Sequence, residues 1–518
     1  MKTTAIIMFC LITSSLTWSQ QLYVAADGVV RITPTAFVHA GGEVAVIAGG
    51  DVTIDSDATH SGSFIVSGST TGNITYKRYI DDANWHLVSA PVTDQSIPTF
   101  VGDASNAVTQ SGNNYAVSYY NNTNAAGKRW TYHNTVDTAP ENQETLTSFI
   151  AGQGYSMKRT AAGDYTFTGA MANADVSVTI PTTGGSAHLW SAIANPFPSF
   201  LSVNTAADAA NLLVNNLAAL DTSFAFLYVW NGTSEEYDPI GPEGAALQLA
   251  PGQAFMVKAK TDGETFIFNK TLQNHNSGAA TFYKSSASTP TISVHLTNGT
   301  ANKSANLEFL DDSTTGLDVG YDAGAYQDGT PSFSINTHLV SDSQGIDFTR
   351  QSLPISSLDS EVAIPLSINA GIHEEVIFSA DTNNLPDGVS VYLEDALNNT
   401  FTNLTAAPLK IKITAALSGI GRFYLRTSSG VLSTETNLAG ALINLYKTSN
   451  GTVKVTGLTS GNAATFSLFT ILGKEVLATK FIAQNVKEIL LPTSLSTGVY
   501  IISVVSDLGT FHKKIIIE

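Results

Sequence analysis

The chain has 518 residues, 43% of them apolar and only 13% charged, with a formal net charge of −18. That length exceeds one ordinary core and sets an expectation of three or four domains. The acidity excludes a nucleic-acid partner, which needs a basic footprint to displace counterions, and it disfavours adsorption to an anionic lipid surface.

Thr, Ser, Asn and Gly fill the gap left by the charged residues. β-Branched residues suit strands, and Gly and Asn tolerate turn geometry, so the expected fold class is mostly β and multidomain. Residues 1–19 read as a secretory signal peptide. Lys2 precedes an apolar run from Ala5 to Ile12, and Thr17-Trp18-Ser19 offers cleavage after Ser19. No other run approaches spanning length, so no transmembrane segment is expected. The single cysteine, Cys10, lies in that run behind Met8 and Phe9, which does not suit a lipoprotein cysteine. Cleavage would leave no disulfide, thiolate metal site or cysteine nucleophile, and large packed cores would have to hold the fold.

Residues 20–73 carry short strands at 29–32, 43–47, 51–54 and 63–66, separated by Gly41-Gly42, Gly49-Gly50 and Ser61-Gly62. Two readings stand: a short β-solenoid and an antiparallel meander. Residues 74–273 read as an internally duplicated β-module, with copies at about 84–171 and 187–272. Block 149–158 matches 249–258 around Gly152-Gln153 and Gly252-Gln253, and Trp130 precedes its block at the spacing of Trp230. The openings 85–91 and 188–192 correspond, as do the ends 165–167 and 266–268. One departure is an expected amphipathic helix over 201–220, with Ala206, Ala209, Ala210, Leu213, Leu217 and Leu220 on one face. It is the only helix expected in the mature chain.

A linker at 274–289 leads to a β-sandwich over 290–427, with strands at 291–296, 305–309, 361–366, 375–378, 389–393, 410–413 and 422–425. A second linker at 428–441 precedes the last β-rich stretch, 442–518.

The chemistry-bearing residues form no catalytic signature. His373-Glu374-Glu375 lacks a second His one turn on, and no Gly-x-Ser-x-Gly elbow or phosphate-binding glycine loop occurs. The pairs Glu235-Glu236 and Glu374-Glu375 are adjacent, which on a strand sends them to opposite faces. Distant carboxylate partners, as a glycosidase uses, stay open. No catalytic or cofactor-binding residue is assigned. Asp51, Asp55 and Asp57 gather near one turn, and Asp311, Asp312, Asp318 and Asp322 crowd another loop. Hard oxygen ligands on a loop suit Ca²⁺, and the alternative is an ordinary solvated acidic turn without the EF-hand spacing. Trp85, Trp130, Trp190 and Trp230 all fall in the duplicated region. They read as core anchors or, with Tyr119, Tyr120, Tyr132 and Tyr228, as aromatic faces for sugar rings.

The last stretch carries three further blocks: Ile471-Leu472-Gly473-Lys474, the run 495–502 around Gly498-Val499-Tyr500, and the run 509–517 containing Lys513-Lys514. Together they resemble the C-terminal sorting domain of the type IX secretion system of Bacteroidota, in its type A form. The resemblance implies a small β-sandwich over 442–518, with Gly473, Gly498, Tyr500, Gly509, Lys513 and Lys514 as the sorting signal. It further implies Sec export through the periplasm and recognition by the outer-membrane translocon. Removal of the domain then leaves the cargo attached to lipopolysaccharide or released. Many members begin with Tyr-Pro-Asn-Pro, whereas residues 445–450 here are Leu-Tyr-Lys-Thr-Ser-Asn, which leaves the start of the domain in doubt. Residues 316–322 and 421–427 resemble a segment found before the sorting domain in flavobacterial surface proteins. Asp137-Thr138-Ala139 and Asp312-Ser313-Thr314 resemble the short O-glycosylation motif of that phylum. The expected function is non-catalytic adhesion or envelope interaction at the cell surface. Binding of surface or matrix glycans is the second reading, and an extracellular hydrolase of unrecognised type the third.

Overall fold

Parallel pairing separates the two readings of the N-terminal region. The computed structural model describes residues 18–19, 21–136, 142–185, 187–232, 235–276, 289–360, 362–428, 443–448, 451–458, 461–470, 473–484, 486–493, 495–496, 498–506 and 509–517. A first turn of chain is β1 (Trp18–Ser19), β2 (Leu22–Val24) and β3 (Val29–Ile32); a second is β4 (Phe37–Ala40), β5 (Val44–Val46) and β6 (Asp51–Asp55); a third is β7 (Ser63–Val66), β8 (Thr70–Thr71) and β9 (Asn73–Ile80). Each strand lies parallel to its counterpart one turn later: β1-β4-β7, β2-β5-β8 and β3-β6-β9. That is a three-sided solenoid, and a meander would pair these strands antiparallel. Its interior is a stack of β-branched and aromatic side chains, including Ile32, Val44, Ile54, Phe64 and Tyr76. At one corner Gly72 takes φ +81°, and a Cβ there would fall on the Val46 carbonyl of the turn before. Only glycine lets the rungs close to stacking distance at that point.

The third rung does not end the packing. β9 also pairs antiparallel with a strand ninety residues on, through Tyr76↔Phe167 and Arg78↔Tyr165. The intervening chain forms β10 (Trp85–Val88), helix α1 (Ile97–Gly102), β11 (Gln110–Ser111), β12 (Asn114–Tyr120), β13 (Trp130–Asn134), β14 (Gln143–Glu144) and β15 (Tyr155–Lys158), followed by β16 (Gly163–Ala170), the partner of β9. β10, β15, β12, β13 and β14 form one sheet in that order. The second half follows with β17 (Val176–Ile180), β18 (Trp190–Ala194), β19 (Phe200–Ser202), helix α2 (Leu212–Asn216), β20 (Leu227–Asn231), β21 (Glu236–Ile240), β22 (Gln248–Leu249), β23 (Ala254–Lys258), β24 (Glu264–Phe268) and β25 (Gln273–Asn274). Its main sheet runs β18-β23-β20-β21, the order of β10-β15-β12-β13, and β17 pairs β24 as β9 pairs β16.

The two Gly-Gln blocks are where these sheets meet. Ile150 to Gln153 and Ala250 to Gln253 are turns closed by Gln153 N–H donating to Ile150 O (3.0 Å) and Gln253 N–H donating to Ala250 O (3.1 Å). Each places glycine third, at φ +80° for Gly152 and +64° for Gly252, as a type II turn requires. Ser89 N–H donates to Gly252 O, and Ala194 N–H donates to Gly152 O, both at 2.8 Å. Val88 bridges Gln253 while Ile193 bridges Gln153. The contact is reciprocal, each half giving its turn to the end of the other's first strand.

Two expectations need correcting here. The expected helix over 201–220 shrinks to α2 and a 3₁₀ turn at Leu217–Ala219, because 200–202 is strand and the next residues are held by side chains. Asn204 Oδ1 accepts from Ala207 N–H, Asp208 Oδ1 from Ala210 N–H and Asn211 Oδ1 from Val214 N–H. Short polar side chains that bond the nearby backbone compete with helix. Nor is α2 alone. α1 starts at Ser96, whose hydroxyl oxygen accepts from Thr99 N–H, with Pro98 in the first turn and Phe100 stacked on Phe167 at 4.9 Å. One turn is too short to show periodicity, but Ser before Pro was a legible start signal.

In the second compact unit, residues 287–518, the cargo part is one eleven-stranded sheet that folds over itself. Phe378 and Phe423 touch at 4.9 Å between ring centres, although five strands separate theirs, Glu375–Asn383 and Leu417–Ser428, along the ladder. The strands Ser334–Thr337 and Phe348–Pro354, at the middle of the ladder, lie outside the seven expected. They carry buried Ser334, Asn336, Thr337, Gln351 and Ser352, which hide the apolar alternation. The whole is mostly β, 51% strand and 6% helix.

Gly252→Ala tests the reciprocal contact. Its Cβ would fall on the Ser89 carbonyl oxygen at a positive φ, so a loss of roughly 2–3 kcal/mol is expected. Urea unfolding of the full chain should show a lower midpoint, while Ala254→Gly leaves the turn intact.

Candidate functional site

The acidic loop after the strand Asn302–Leu310 borders a cleft of about 400 Å³ lined by Leu310, Asp311, Asp312, Asp318, Val319 and Tyr321. Asp311 and Asp312 are exposed on its rim, Asp318 is half-buried and Asp322 is fully buried. Asp318 and Asp322 are brought together. Asp322 Oδ1 accepts from Ser352 N–H (2.6 Å) and Ser352 Oγ (2.9 Å), and Oδ2 accepts from Asp318 N–H (2.6 Å). Asp318 accepts from Thr314 N–H and Thr314 Oγ1. The pair thus ties the 316–322 segment to the strand Phe348–Pro354. Burial pushes the Asp322 carboxyl up to about 6, against its hydrogen bonds and with the Asp318 charge adding to the rise.

Elsewhere Asp55 pairs with Arg31 (2.6 Å), and Asp57 caps Thr59 and His60, so the Asp51, Asp55 and Asp57 group points to separate partners. The acidic and histidine atoms that converge among the described residues belong to Asp81, Asp82 and His86, within 4.8 Å of one another. They sit on the turn into β10, with His86 Nε2 2.8 Å from Asp82 Oδ1. His188 is a polar group the sequence did not single out. It meets the Tyr120 hydroxyl at 2.7 Å, and burial, with the Arg129 and Lys258 charges, pushes it down to about 4. Asp137-Thr138-Ala139 lies outside the described residues.

The tryptophans are arranged differently from their spacing. Register places Trp85 opposite Lys158 and Trp190 opposite Lys258, so these two occupy like positions. Trp130 and Trp230 do not: Trp130 on β13 faces Tyr120, whereas Trp230 on β20 faces Tyr237. Both pairs are edge-to-face at 5.1 Å, a favourable ring geometry. The same aromatic pair is made twice with its members exchanged. Trp190 is buried against Phe224 and Tyr228, while Trp85 stays half-buried, edge-on to Tyr132 at 5.9 Å. Trp85, Trp130 and Trp230 are neither coplanar nor freely exposed with these partners.

The C-terminal stretch is a two-layer sandwich. Asn444–Lys447, Thr452–Thr456 and Val486–Leu490 form one sheet; Glu475–Ile482, Ala463–Thr470, Gly498–Ser506 and Gly509–Ile517 form the other in that order. Gly473 turns the first hairpin at φ +81°; its neighbours Ile471 and Leu472 lie outside the described residues. Gly498 opens its strand opposite Ile517, and Gly509 pairs with Ser506. Tyr500 is buried and its hydroxyl donates to Ser496 O at 2.9 Å. The two terminal lysines differ, because neighbours on a strand face opposite ways. Lys514 is exposed, whereas Lys513 is half-buried with Nζ 5.2 Å over the Tyr446 ring. Burial pushes the Lys513 amine below the usual lysine range, opposed by the Asp342 carboxylate.

Tyr446 is where this sandwich docks on the cargo sheet. It clusters with Ile420 and Tyr424, and the Tyr424 hydroxyl meets Thr456 Oγ1 at 2.7 Å. Behind Tyr424 lies the ion pair of Arg426 and Glu394, 2.6 Å apart and 3% exposed on each side.

A sequence model of the family described as a domain of unknown function, DUF8693, matches residues 5–426. The chain belongs to this family. A second model, the secretion system C-terminal sorting domain, matches residues 448–518. No curated protein matches the chain. The sorting domain marks a type IX-secreted protein, exported to the cell surface or released, and handled by that system. Among the described residues no helix is long and apolar enough to cross a membrane.

Asp322 sets a pH dependence whose sign follows from its raised value. The native state binds this proton more tightly than the unfolded chain, so its stabilisation is complete below the ordinary 3.8 and lost as pH rises through about 6. The size is on the order of 3 kcal/mol. Urea midpoints at pH 4 and pH 7.5 should therefore differ less in Asp322→Asn than in the parent chain.

Proposed function

We propose that this is a non-catalytic surface or secreted protein of a Bacteroidota cell, acting by contact in adhesion or envelope interaction. The observation that carries the reading is the sorting domain that follows a mostly β cargo. Of the carboxylates singled out by sequence, Asp318 and Asp322 are engaged with Ser352 and Asp55 with Arg31, while Asp311 and Asp312 are exposed. In this reading a signal peptide ends at Ser19, so that cleavage there removes β1 from its pairing with β4; the solenoid-like region spans 20–73, the module 74–273, the cargo sandwich 290–427 and the sorting domain 442–518. The module is a duplication whose copies form a pseudo-two-fold pair. Its support is the matching strand order and the reciprocal Ser89–Gly252 and Ala194–Gly152 bonds, the pattern an isologous interface makes.

Glycan binding is the second reading, favoured by Trp85 and Tyr132, which share one face of the first sheet and stay half-buried. The edge-on ring geometry and the burial of Trp190 weigh against a flat stacking platform there.

In a type IX-secreting host the full chain should reach the surface or medium, and a chain ending at Ala441 should stay in the periplasm. Surface arrival of the truncated form would remove the export reading. Cells displaying the full chain should attach better than cells with the truncated form, and equal attachment would count against adhesion. Loss of attachment to glycan-coated but not bare supports in Trp85→Ala would move the assignment to glycan binding.

A further inference from the structure

The two layers of the sorting domain have unlike outer faces. The three-stranded layer turns its outer face to the cargo sheet. Thr456 is fully buried and bonded to Tyr424, Tyr446 is 2% exposed, and Gly421 of the cargo abuts Val486 and Thr456 closely enough that a Cβ would crowd both. The four-stranded layer turns its inner residues, Phe466, Leu468, Ile502 and Val504, into the shared core. Four apolar residues of its outer face are exposed, Val499 36%, Ile501 39%, Val505 47% and Ile516 40%, while Ser503 between Ile501 and Val505 is buried.

Three of these are neighbours, and Val505 lies one pair further along the strand, beyond Ser503. Val499 pairs with Ile516, Ile501 with Lys514, and Val505 with Thr510 on the last strand and Thr465 on the other side. Val499, Ile501 and Ile516 form an apolar patch on the last two strands of the sheet, bordered by exposed Lys514; Val505 stands beyond it, past buried Ser503 and exposed His512, with exposed Lys480 and Glu475 on the far edge strand. Single exposed apolar residues need no explanation, but a contiguous patch rimmed by polar groups marks an interaction surface. The charge pattern points the same way. Residues 442–518 carry seven lysines against four carboxylates, net +3, while residues 1–441 carry −21. A partner drawn to this end of the molecule is therefore complementary to positive charge, and the rest of the chain repels it.

We propose that the patch centred on Ile501 is the surface that the export machinery grips, through an apolar protein patch with carboxylates on its rim. This rests on the reading that the sorting domain directs export. The opposite layer is occupied by the cargo, and Lys513 is folded against Tyr446, so Lys514 is the terminal lysine presented to that partner. The inner and outer residues of the strand Gly498–Ser506 then have separate tasks: Tyr500, Ile502 and Val504 hold the fold, and Val499, Ile501 and Val505 make the contact.

The test is export of the full chain carrying Ile501→Glu, Val505→Glu or Lys514→Glu in a type IX-secreting host, read as surface plus medium against periplasm. Leu490→Glu is the control, since Leu490 is 71% exposed on the other layer. Ile501→Glu and Val505→Glu should each lower the export ratio at least tenfold, Lys514→Glu severalfold, and Leu490→Glu less than twofold. Purified variants should keep the parent's thermal midpoint within a few degrees, and Ile501→Val should export normally. Export of Ile501→Glu within twofold of the parent overturns the inference, as does equal loss in Leu490→Glu. Normal export with lost sedimentation on anionic phosphatidylglycerol vesicles would make the patch a lipid contact and overturn it too. If the chain ending at Ala441 is exported, the sorting reading itself fails. If that chain is retained while Ile501→Glu is exported, only the present inference fails.

Discussion

The reciprocal pair of hydrogen bonds, Ser89 N–H to Gly252 O and Ala194 N–H to Gly152 O, is the constraint on which the first unit depends. The chain has one cysteine, Cys10, so no disulfide can brace it, and the sheets must be held by backbone geometry and packing. Each turn has glycine at its third position because a side chain would both strain the backbone and strike a neighbour: the Ser89 carbonyl in one case, Val178 in the other. Once the two turns are seated, the strand ends they grip cannot slide, since a one-residue slip would flip each strand's apolar face outward. The solenoid is fixed in turn, because β9 belongs both to its last rung and to the strand pair with β16. One edge that a solenoid would otherwise leave open is thereby closed.

The second unit uses a different device. Two ion pairs lie on the strands that carry the join between cargo and sorting domain: Glu394 with Arg426, and Asp395 with both Nε and Nη2 of Arg422. Removing one partner from such a pair would leave a buried charge alone, so these positions tolerate little change even though the pair adds little net stability. Tyr424 sits on the strand that carries Arg422 and Arg426 and reaches across to Thr456. The charge network thus aims the residue on which the sorting domain rests.

Much of the strand content was legible because β-branched runs between glycines have few other readings, as 291–296 and 375–378 show. The limits were physical. The solenoid could not be told from a meander, since parallel and antiparallel strands share one residue pattern and only Leu22 lying beside Val44 distinguishes them. Trp130 and Trp230 stand equally far from their Gly-Gln turns yet occupy opposite members of a hairpin, because Tyr120–Trp130 and Trp230–Tyr237 are one interaction with its residues exchanged. Spacing records positions and cannot record that exchange. The strand Phe348–Pro354 escaped because Gln351 and Ser352 are buried, and Ser352 is bonded to Asp322, thirty residues away. In the acidic loop the sequence shows four carboxylates alike, and not that Ser352 bonds Asp322 and Asp318 while Asp311 and Asp312 stay exposed.

The sorting domain shows why an address must be read as a surface. Lys513 and Lys514 look equivalent as letters, but strand alternation gives them opposite environments, one over the Tyr446 ring and one in solvent. A charge desolvated against an aromatic face contributes to how the domain sits on its cargo; a charge in solvent contributes to what approaches from outside. The same division runs from Val499 to Ile502, where surface and core residues alternate, and is broken at buried Ser503 before Val505 returns to the surface. A pattern kept for folding and a pattern kept for recognition can therefore share one strand without competing, because substitution on either face leaves the other in place.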